Sequence, residues 1–420
     1  MIFLKNKKIL HISSSIRGGA GIASYRMHNS LIKNGYNSSL YIKNYSETNY
    51  PKNIFFSNSC FFFKIKKIVK LILPSNIHFY LKNFFFKKEI NPFCFYQKNE
   101  LNKKGLDKNF LNVVRKYDIL FVHWVSDFIN THDLDKIFSF KSIKIIFVML
   151  DHAHITGGCH FSLNCEKFQS TCLNCPALRK KNSLAHLQLI EKSDKIKRFK
   201  ADLITFSKTD LKLAKSSKIK FKKYLKTTIP IELDEFDLTR SKMNNNKYLF
   251  SCAFNFEDER KGVSYFIKVL DHLDKKLKNK KITVLCTNVP SDLEIKYNNI
   301  NFEKFNYDDD PKEYSKIYKK ADVFVFTSIA DSAPQMPVES LICGTPVVSF
   351  EVANLKEVIT EKNDGIIVSN LNTSYMAEKI YHILYSKFFH EDKQIKKRSL
   401  KAIKNHSQKK FLRDLNKFLA

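Results

Sequence analysis

The chain lacks any apolar run approaching the roughly eighteen residues that a membrane-spanning helix needs. Its first residues, MIFLKNKKILHISSS, carry an apolar part too short for a secretory signal and read as a first strand, so a cytoplasmic protein is expected. No internal repeat stands out beyond an alternation of strand-like and helix-like segments. Acidic residues are in deficit, with 41 Asp and Glu against 72 Lys and Arg and a net charge of +31. Such a surplus ordinarily suggests nucleic acid. Here the lysines are spread along the whole length among Asn, Ile and Phe, and no compact basic and aromatic reading module exists outside one segment, so no nucleic-acid partner is expected. That segment, Phe55–Ile90, interleaves aromatics with lysines. It fits either peripheral contact with an anionic membrane or a Lys-capped core helix in an insertion.

What is present is enough chain for two cores, since 420 residues exceed what one core holds. A first strand, Lys8–Ser13, leads through SSIRGGAG into a helical pattern that Gly35 stops. Gly18, Gly19 and Gly21 there let the backbone approach an anion beside a helix N-terminus, although a tight turn between strand and helix also needs glycine for steric reasons alone. The buried run Tyr117–Trp124 ends at His123, which could contact substrate or move a proton. Another, Ile143–Leu150, runs into a loop crowded with Asp151, His152, His154 and His160. That density points to a site, with Asp151 and His154 as candidate substrate contacts.

Five of the nine cysteines (Cys60, Cys94, Cys252, Cys286, Cys343) sit in apolar contexts that suit reduced thiols. The other four, Cys159, Cys165, Cys172 and Cys175, fall within seventeen residues. In a reducing compartment they read as a structural tetrahedral zinc site, in which His160 could replace one thiol, or as unligated thiols. No catalytic metal is expected.

The polar run Lys242–Lys247 reads as a linker, and a new series of strands and helices follows it. Strand Tyr248–Phe254 leads through NFEDERK into an amphipathic helix, Gly262–Leu277. Arg260 and Lys261, two cations beside that helix N-terminus, form a clamp for a diphosphate. Strand Asp322–Thr327 leads into DSAPQMPVESLICGTPVVSF, where Asp331 and Glu339 stand eight positions apart. Asp331 falls in the loop after the strand, and Glu339 just inside a short helix that Pro337 can start. Acids so placed outside the carboxyl ends of strands can accept hydrogen bonds from the hydroxyls of a sugar or ribose.

Together, Arg260-Lys261-Gly262, Ala321-Asp-Val-Phe-Val325 and Asp331-x7-Glu339-Ser-x3-Gly344-Thr-Pro-Val-Val348 resemble the retaining glycosyltransferases of family 4. Gly18-Gly-Ala-Gly21 resembles their acceptor-side loop. His123-Trp124, DHAHITGGC, Cys165 and Cys172-Leu-Asn-Cys-Pro176 are similar to a bacterial subgroup of polysaccharide and lipopolysaccharide assembly. The resemblance implies an α/β protein of GT-B fold, two facing Rossmann-like domains with an interdomain cleft. Residues 1–230 would form the acceptor-side domain, with an insertion at about 55–100 and a cysteine-rich loop at 151–176. Residues 231–390 would bind the nucleotide sugar, and 391–420 would be a helix able to pack back on the first domain. By position, Arg260 and Lys261 would hold the donor diphosphate, Glu339 the ribose and Asp331 the transferred sugar, with Gly344 and Thr345 completing the donor motif. The donor would be a UDP- or GDP-sugar and the acceptor a glycan or lipid-linked sugar. Two positions depart from the family pattern. Asp331 stands where Glu is usual, about 1.5 Å shorter in reach, and Phe256 stands where Arg is common. The other readings are a zinc-stabilised nucleic-acid-binding protein and a GT-B sugar-nucleotide epimerase.

Overall fold

Strings such as Ile119–Val122 (ILFV) and Val323–Phe326 (VFVF) are apolar at every position, the pattern of parallel strands covered on both faces. In the computed structural model of the chain, which describes residues 5–43, 53–57, 101, 108–178, 183–236, 246–255, 258–306 and 311–420, such strings build two parallel sheets. The chain divides into two units, Met1–Pro230 with Phe411–Ala420, and Ile231–Lys410.

In the first unit the strands are β1 (Lys8–Ser13), β2 (Asn37–Ile42), β3 (Ile54–Phe56), β4 (Ile119–Val122), β5 (Lys144–Val148), β6 (Asp202–Thr205) and β7 (Tyr224–Lys226). They lie in the order β3-β2-β1-β4-β5-β6-β7. In the second unit β8 (Lys247–Ser251), β9 (Ile282–Cys286), β10 (Ile300–Lys304), β11 (Val323–Phe326), β12 (Val347–Phe350) and β13 (Gly365–Val368) lie in the order β10-β9-β8-β11-β12-β13. Both orders are doubly wound, reversing between β1 and β4 in one sheet and between β8 and β11 in the other. Ligands of such sheets bind outside the carboxyl ends of the strands at the reversal, so the loops after these four strands are where a site belongs.

Alternation along β11 shows how the second sheet is covered. Val323 and Val325 enter the core beneath helices Val263–Leu277 and Thr373–Tyr385, while Phe324 and Phe326 enter the core on the other face with Val338 and Leu341. Each such side chain, fully buried, contributes roughly 2 kcal/mol. Helix Gln335–Ile342 packs on helix Asp392–Asn405, whose fully buried Arg398 donates to the carbonyls of Asn363 (2.6 Å), Phe389 (3.0 Å) and Gly344.

Several boundaries differ from the sequence reading. The strand expected over Tyr248–Phe254 ends at Ser251 and gives way to a 3-10 turn, Ala253–Asn255. The short helix begins at Gln335, with Pro337 in its first turn and not at its head. The segment 391–420 forms two helices, and the second, Gln408–Leu419, reaches the first unit, where Asn416 donates to the Tyr36 hydroxyl (2.9 Å) and Thr227 to Asp414 (3.0 Å). Phe55 and Phe56, assigned to the aromatic and basic segment, instead close the short strand β3; the remainder of that segment, 58–90, lies outside the described residues. So do Phe256, Cys60 and Cys94. Among the described residues no helix is long and apolar enough to cross a membrane.

Candidate functional site

The loops after β8 and β11 meet at the reversal of the second sheet. A 3-10 turn, Glu259–Lys261, is started by Asp258, whose carboxylate accepts from the Arg260 N–H (3.0 Å) and from its guanidinium (2.5 Å). Arg260 also donates to the Ala330 carbonyl (3.2 Å), and the Arg260 carbonyl accepts from the Ile329 N–H (2.8 Å). Gly262 then turns the chain with φ +75° into the helix Val263–Leu277. A Cβ there would lie 2.0 Å from the Thr327 carbonyl oxygen, so only glycine lets the two loops approach this closely.

Lys261 meets Asp331 at 3.1 Å, with the two side chains only 19% and 17% exposed. Burial works to lower the lysine pKa, but Asp331 and the nearby Cys252 thiol outweigh it, and the ammonium is held above its ordinary value. Asp331 also accepts from the Ser332 N–H (2.8 Å). Glu339, half-buried in the helix Gln335–Ile342, accepts from the Tyr318 hydroxyl (3.1 Å). A charged lysine, a fixed guanidinium and two carboxylates thus sit on loops and helix starts at one end of the sheet, an arrangement that can bind a diphosphate and hydroxyl groups together.

Two donor candidates have other roles. Thr345 is fully buried and donates to the Tyr318 carbonyl (2.6 Å), and the Gly344 carbonyl accepts from Arg398. Both brace the turn before β12 and leave no group for a ligand to meet, because the hydroxyl and carbonyl are spent internally.

In the first unit, β1 leads into the helix Gly18–Lys33, whose N-cap, Arg17, makes no side-chain cap. Gly18 and Gly19 are exposed, and a Cβ at either would meet nothing within 4 Å. Gly21 differs, since its Cβ would lie 2.5 Å from the Ile16 carbonyl carbon. The triplet therefore divides: Gly21 is there for packing, while Gly18 and Gly19 leave an open helix N-terminus.

His123 does not reach the surface, contrary to the sequence expectation. Its N–H still bonds the Ile12 carbonyl (3.0 Å), so it continues the ladder of β4 and its ring turns inward, fully buried, with Nε2 2.8 Å from His11 Nδ1. Burial lowers its pKa to about 3, and it lowers that of His28 to about 4 and that of His11 well below 6.5. As a general base near neutral pH it is unsuited. His154 is likewise buried, with Nε2 2.9 Å from the His123 carbonyl. Because these folded-state values are depressed, the unfolded chain binds protons below pH 6.5 that the folded chain refuses. The stability they contribute is complete above pH 6.5 and is lost as pH falls toward 4 and then 3. Urea midpoints should therefore hold between pH 8 and 7 and decline steadily from pH 6.5 to 4; a midpoint that is level from pH 7 to 5 would contradict this.

Asp151 is also buried, and it pairs with His160 (2.5 Å). Burial raises its pKa, but His160 and the Ala153 N–H outweigh that, and the carboxyl is held below its ordinary value. Trp124 Nε1 lies 3.4 Å from His160 Nδ1, and the Ser126 hydroxyl 3.3 Å from His160 Nε2. His160 is thereby engaged at both ring nitrogens, so it is not a substitute for a cysteine. Asp151, His160, Trp124 and Ser126 form a polar cluster beyond the carboxyl ends of β4 and β5. His152 turns away to Asp210 (3.3 Å).

The four clustered cysteines line one pocket with Lys167. Among the described residues all seven cysteines are free thiols. Cys175 is lowered to about 6, first by a hydrogen bond with Cys159 and then by the backbone N–H groups of Ala177 and Leu178, against burial. Sequence reading missed Asp258, Tyr318 and Arg398. An Asp two positions before Arg260 was a usable signal for the first, because aspartate caps turns through its own backbone; the other two act across long sequence separations.

Residues 246–386 match the family described as glycosyl transferases group 1. No curated protein matches the chain. Among solved structures, HepE of Anabaena, crystallised with UDP-glucose, superposes with a TM-score of 0.62 at 12% identity, covering 99% of each chain. Sucrose-phosphate synthase of Thermosynechococcus elongatus gives 0.60 at 13% identity over 96% of each. WaaG, a glycosyltransferase involved in lipopolysaccharide biosynthesis, gives 0.55 at 12% identity over 94% of this chain and 95% of its own. The chain thus has the GT-B fold of two Rossmann-like domains, and its residues 246–386 carry a group 1 glycosyltransferase domain.

Proposed function

We propose that the protein is a retaining, family 4-type glycosyltransferase that moves a sugar from a UDP- or GDP-sugar to a glycan or lipid-linked acceptor in surface polysaccharide or lipopolysaccharide assembly. The observation that carries the reading is the Lys261–Asp331 pair, set beside Arg260 where β8 and β11 end. Arg260 and Lys261 would take the donor diphosphate, whose negative charge grows as the glycosidic bond breaks. The helix N-terminus behind them adds a positive field, so the catalysis is largely electrostatic. Asp331 would then release Lys261 and accept from a hydroxyl of the transferred sugar, while Glu339, held by Tyr318, accepts from the ribose. In the first unit, the open N-terminus at Gly18 and Gly19 and the cluster of Asp151, His160 and Trp124 would receive the acceptor. A cytoplasmic protein touching the inner membrane face through the aromatic and basic segment completes the proposal.

The test is a panel of UDP- and GDP-sugars incubated with the purified protein, with and without lipid-linked acceptors. Donor consumption that depends on acceptor supports transfer. Epimer formation without acceptor would replace it with a sugar-nucleotide epimerase, and no consumption of any donor would overturn both. Tyr318→Phe should weaken nucleotide binding about ten-fold or more, the roughly 1.5 kcal/mol at the low end for one hydrogen bond to a charged group, with the fold unchanged by circular dichroism. An unchanged Kd for UDP and GDP would show that Tyr318 does not position Glu339.

A further inference from the structure

One acid, Asp258, holds both cations of the turn that carries Arg260 and Lys261. Its carboxylate Oδ1 accepts from the Arg260 N–H (3.0 Å), its Oδ2 from the Arg260 guanidinium (2.5 Å), and its carbonyl from the Lys261 N–H (2.8 Å). The first and last of these bonds shape the 3-10 turn Glu259–Lys261. An aspartate that only capped this turn would need a single oxygen, aimed at the backbone two residues on. The second oxygen acts on the guanidinium alone.

Arg260 is held from the other side by a different loop. Its Nη1 donates to the Ala330 carbonyl (3.2 Å) while Nη2 meets Asp258, and its own carbonyl accepts from the Ile329 N–H (2.8 Å). A guanidinium is a planar fork, so bonds at both terminal nitrogens fix its plane as well as its position. The Arg260 and Asp258 side chains are only 14% and 17% exposed, which limits the water that could compete for their bond. Ala330 directly precedes Asp331, the partner of Lys261 at 3.1 Å. Two cations therefore stand side by side, each against its own carboxylate, and the Arg260 charge works to lower the Lys261 pKa. Like charges in so dry a turn would push apart if either carboxylate were lost.

From these contacts we infer that Asp258 is a positioning residue for sugar transfer, one that locks the Arg260 guanidinium between the loops after β8 and β11 before the donor arrives. The inference rests on the transferase reading. A long side chain that must be ordered during the reaction gives up part of what it contributes to the leaving charge, whereas one already in place contributes all of it. Asp258 acts through Arg260, and its own negative charge opposes a diphosphate. Removing that charge should therefore slow turnover and spare nucleotide binding, the reverse of losing a ligand contact.

The experiment is steady-state kinetics, with the donor that the parent consumes, and nucleotide titration on Asp258→Asn in the full chain. Asparagine keeps an oxygen for the Arg260 N–H, so the turn stays capped. Should its urea midpoint show that it does not fold, Asp258→Ser, which also caps the turn and has no carboxylate, takes its place. The expected result is a kcat about ten-fold lower, the loss of one charge-assisted hydrogen bond, with the Kd for UDP or GDP unchanged or tighter. In the Arg260→Ala background the same substitution should lower kcat no further. Glu259→Gln, which removes an exposed acid of the same turn, should leave kcat at the parental value. A parental kcat in Asp258→Asn, an equal loss with and without Arg260, or an equal loss in Glu259→Gln would overturn the inference and leave the transferase reading standing. No turnover of any donor by the parent would overturn both.

Discussion

Lys261→Ala is expected to lower kcat/KM for the sugar donor by about 10²–10³-fold, the usual loss when one preorganised electrostatic group is removed from a developing charge. Most of the loss should fall on kcat, because the leaving diphosphate carries more charge in the transition state than in the bound donor. The variant also strands Asp331, which keeps only the Ser332 N–H, so a few kcal/mol of local stability should go with it. Lys261→Ala and Asp331→Ala should therefore be non-additive: the double variant should be more stable than Lys261→Ala alone, since no buried charge is left unpaired, yet no more active. Steady-state rates with unfolding midpoints check both statements. Full activity in Lys261→Ala would refute the site.

Gly262→Ala should have the other large effect, and for a backbone reason. The residue has φ +75°, and the added Cβ would stand 2.0 Å from the Thr327 carbonyl oxygen, which is main chain and cannot rotate aside. Left-handed backbone in a non-glycine residue costs on the order of 1–3 kcal/mol, and the collision adds to that. A destabilisation of roughly 3 kcal/mol or more is expected, with donor binding reduced at least ten-fold because Arg260 and Lys261 shift with the turn. Gly19→Ala is the matched control, since its Cβ meets nothing within 4 Å; its unfolding midpoint should not fall. Equal midpoints for Gly262→Ala and the parent would contradict the account.

Much of this was legible in the sequence because parallel strands leave long apolar strings. Tyr117–Trp124, Ile143–Leu150 and Asp322–Thr327 each announced a covered strand, and the cations at 260 and 261 could be placed at a helix start by pattern alone. The three-residue strands β3 and β7 could not be read, and neither could β10. The run INFEK in β10 is half exposed, and β3 has only three residues, too few for any period to show. The helix Thr131–Phe140 was also missed, although Asn130 and Asp133 form a reciprocal capping box. His123 was misjudged because a sequence does not show whether the last residue of an apolar run still belongs to the ladder; it does, and that single register step turns its ring inward. Thr345 was misread for a related reason. Its motif suggested a ligand contact, whereas its hydroxyl satisfies a carbonyl that the end of the helix Pro311–Lys320 leaves open. Asp331 and Glu339 were correctly placed on a loop and a short helix, but Tyr318 and Arg398, which fix their surroundings, carry no local signal.

The central claim is that Arg260 and Lys261 grip a nucleoside diphosphate, and calorimetric titration of UDP and GDP into the parent chain and into Arg260→Ala/Lys261→Ala tests it most directly. One-to-one binding of at least one nucleotide by the parent, weakened as salt is raised and abolished in the double variant, is the predicted result. Equal affinity in both proteins, or no binding of either nucleotide by the parent, would contradict it.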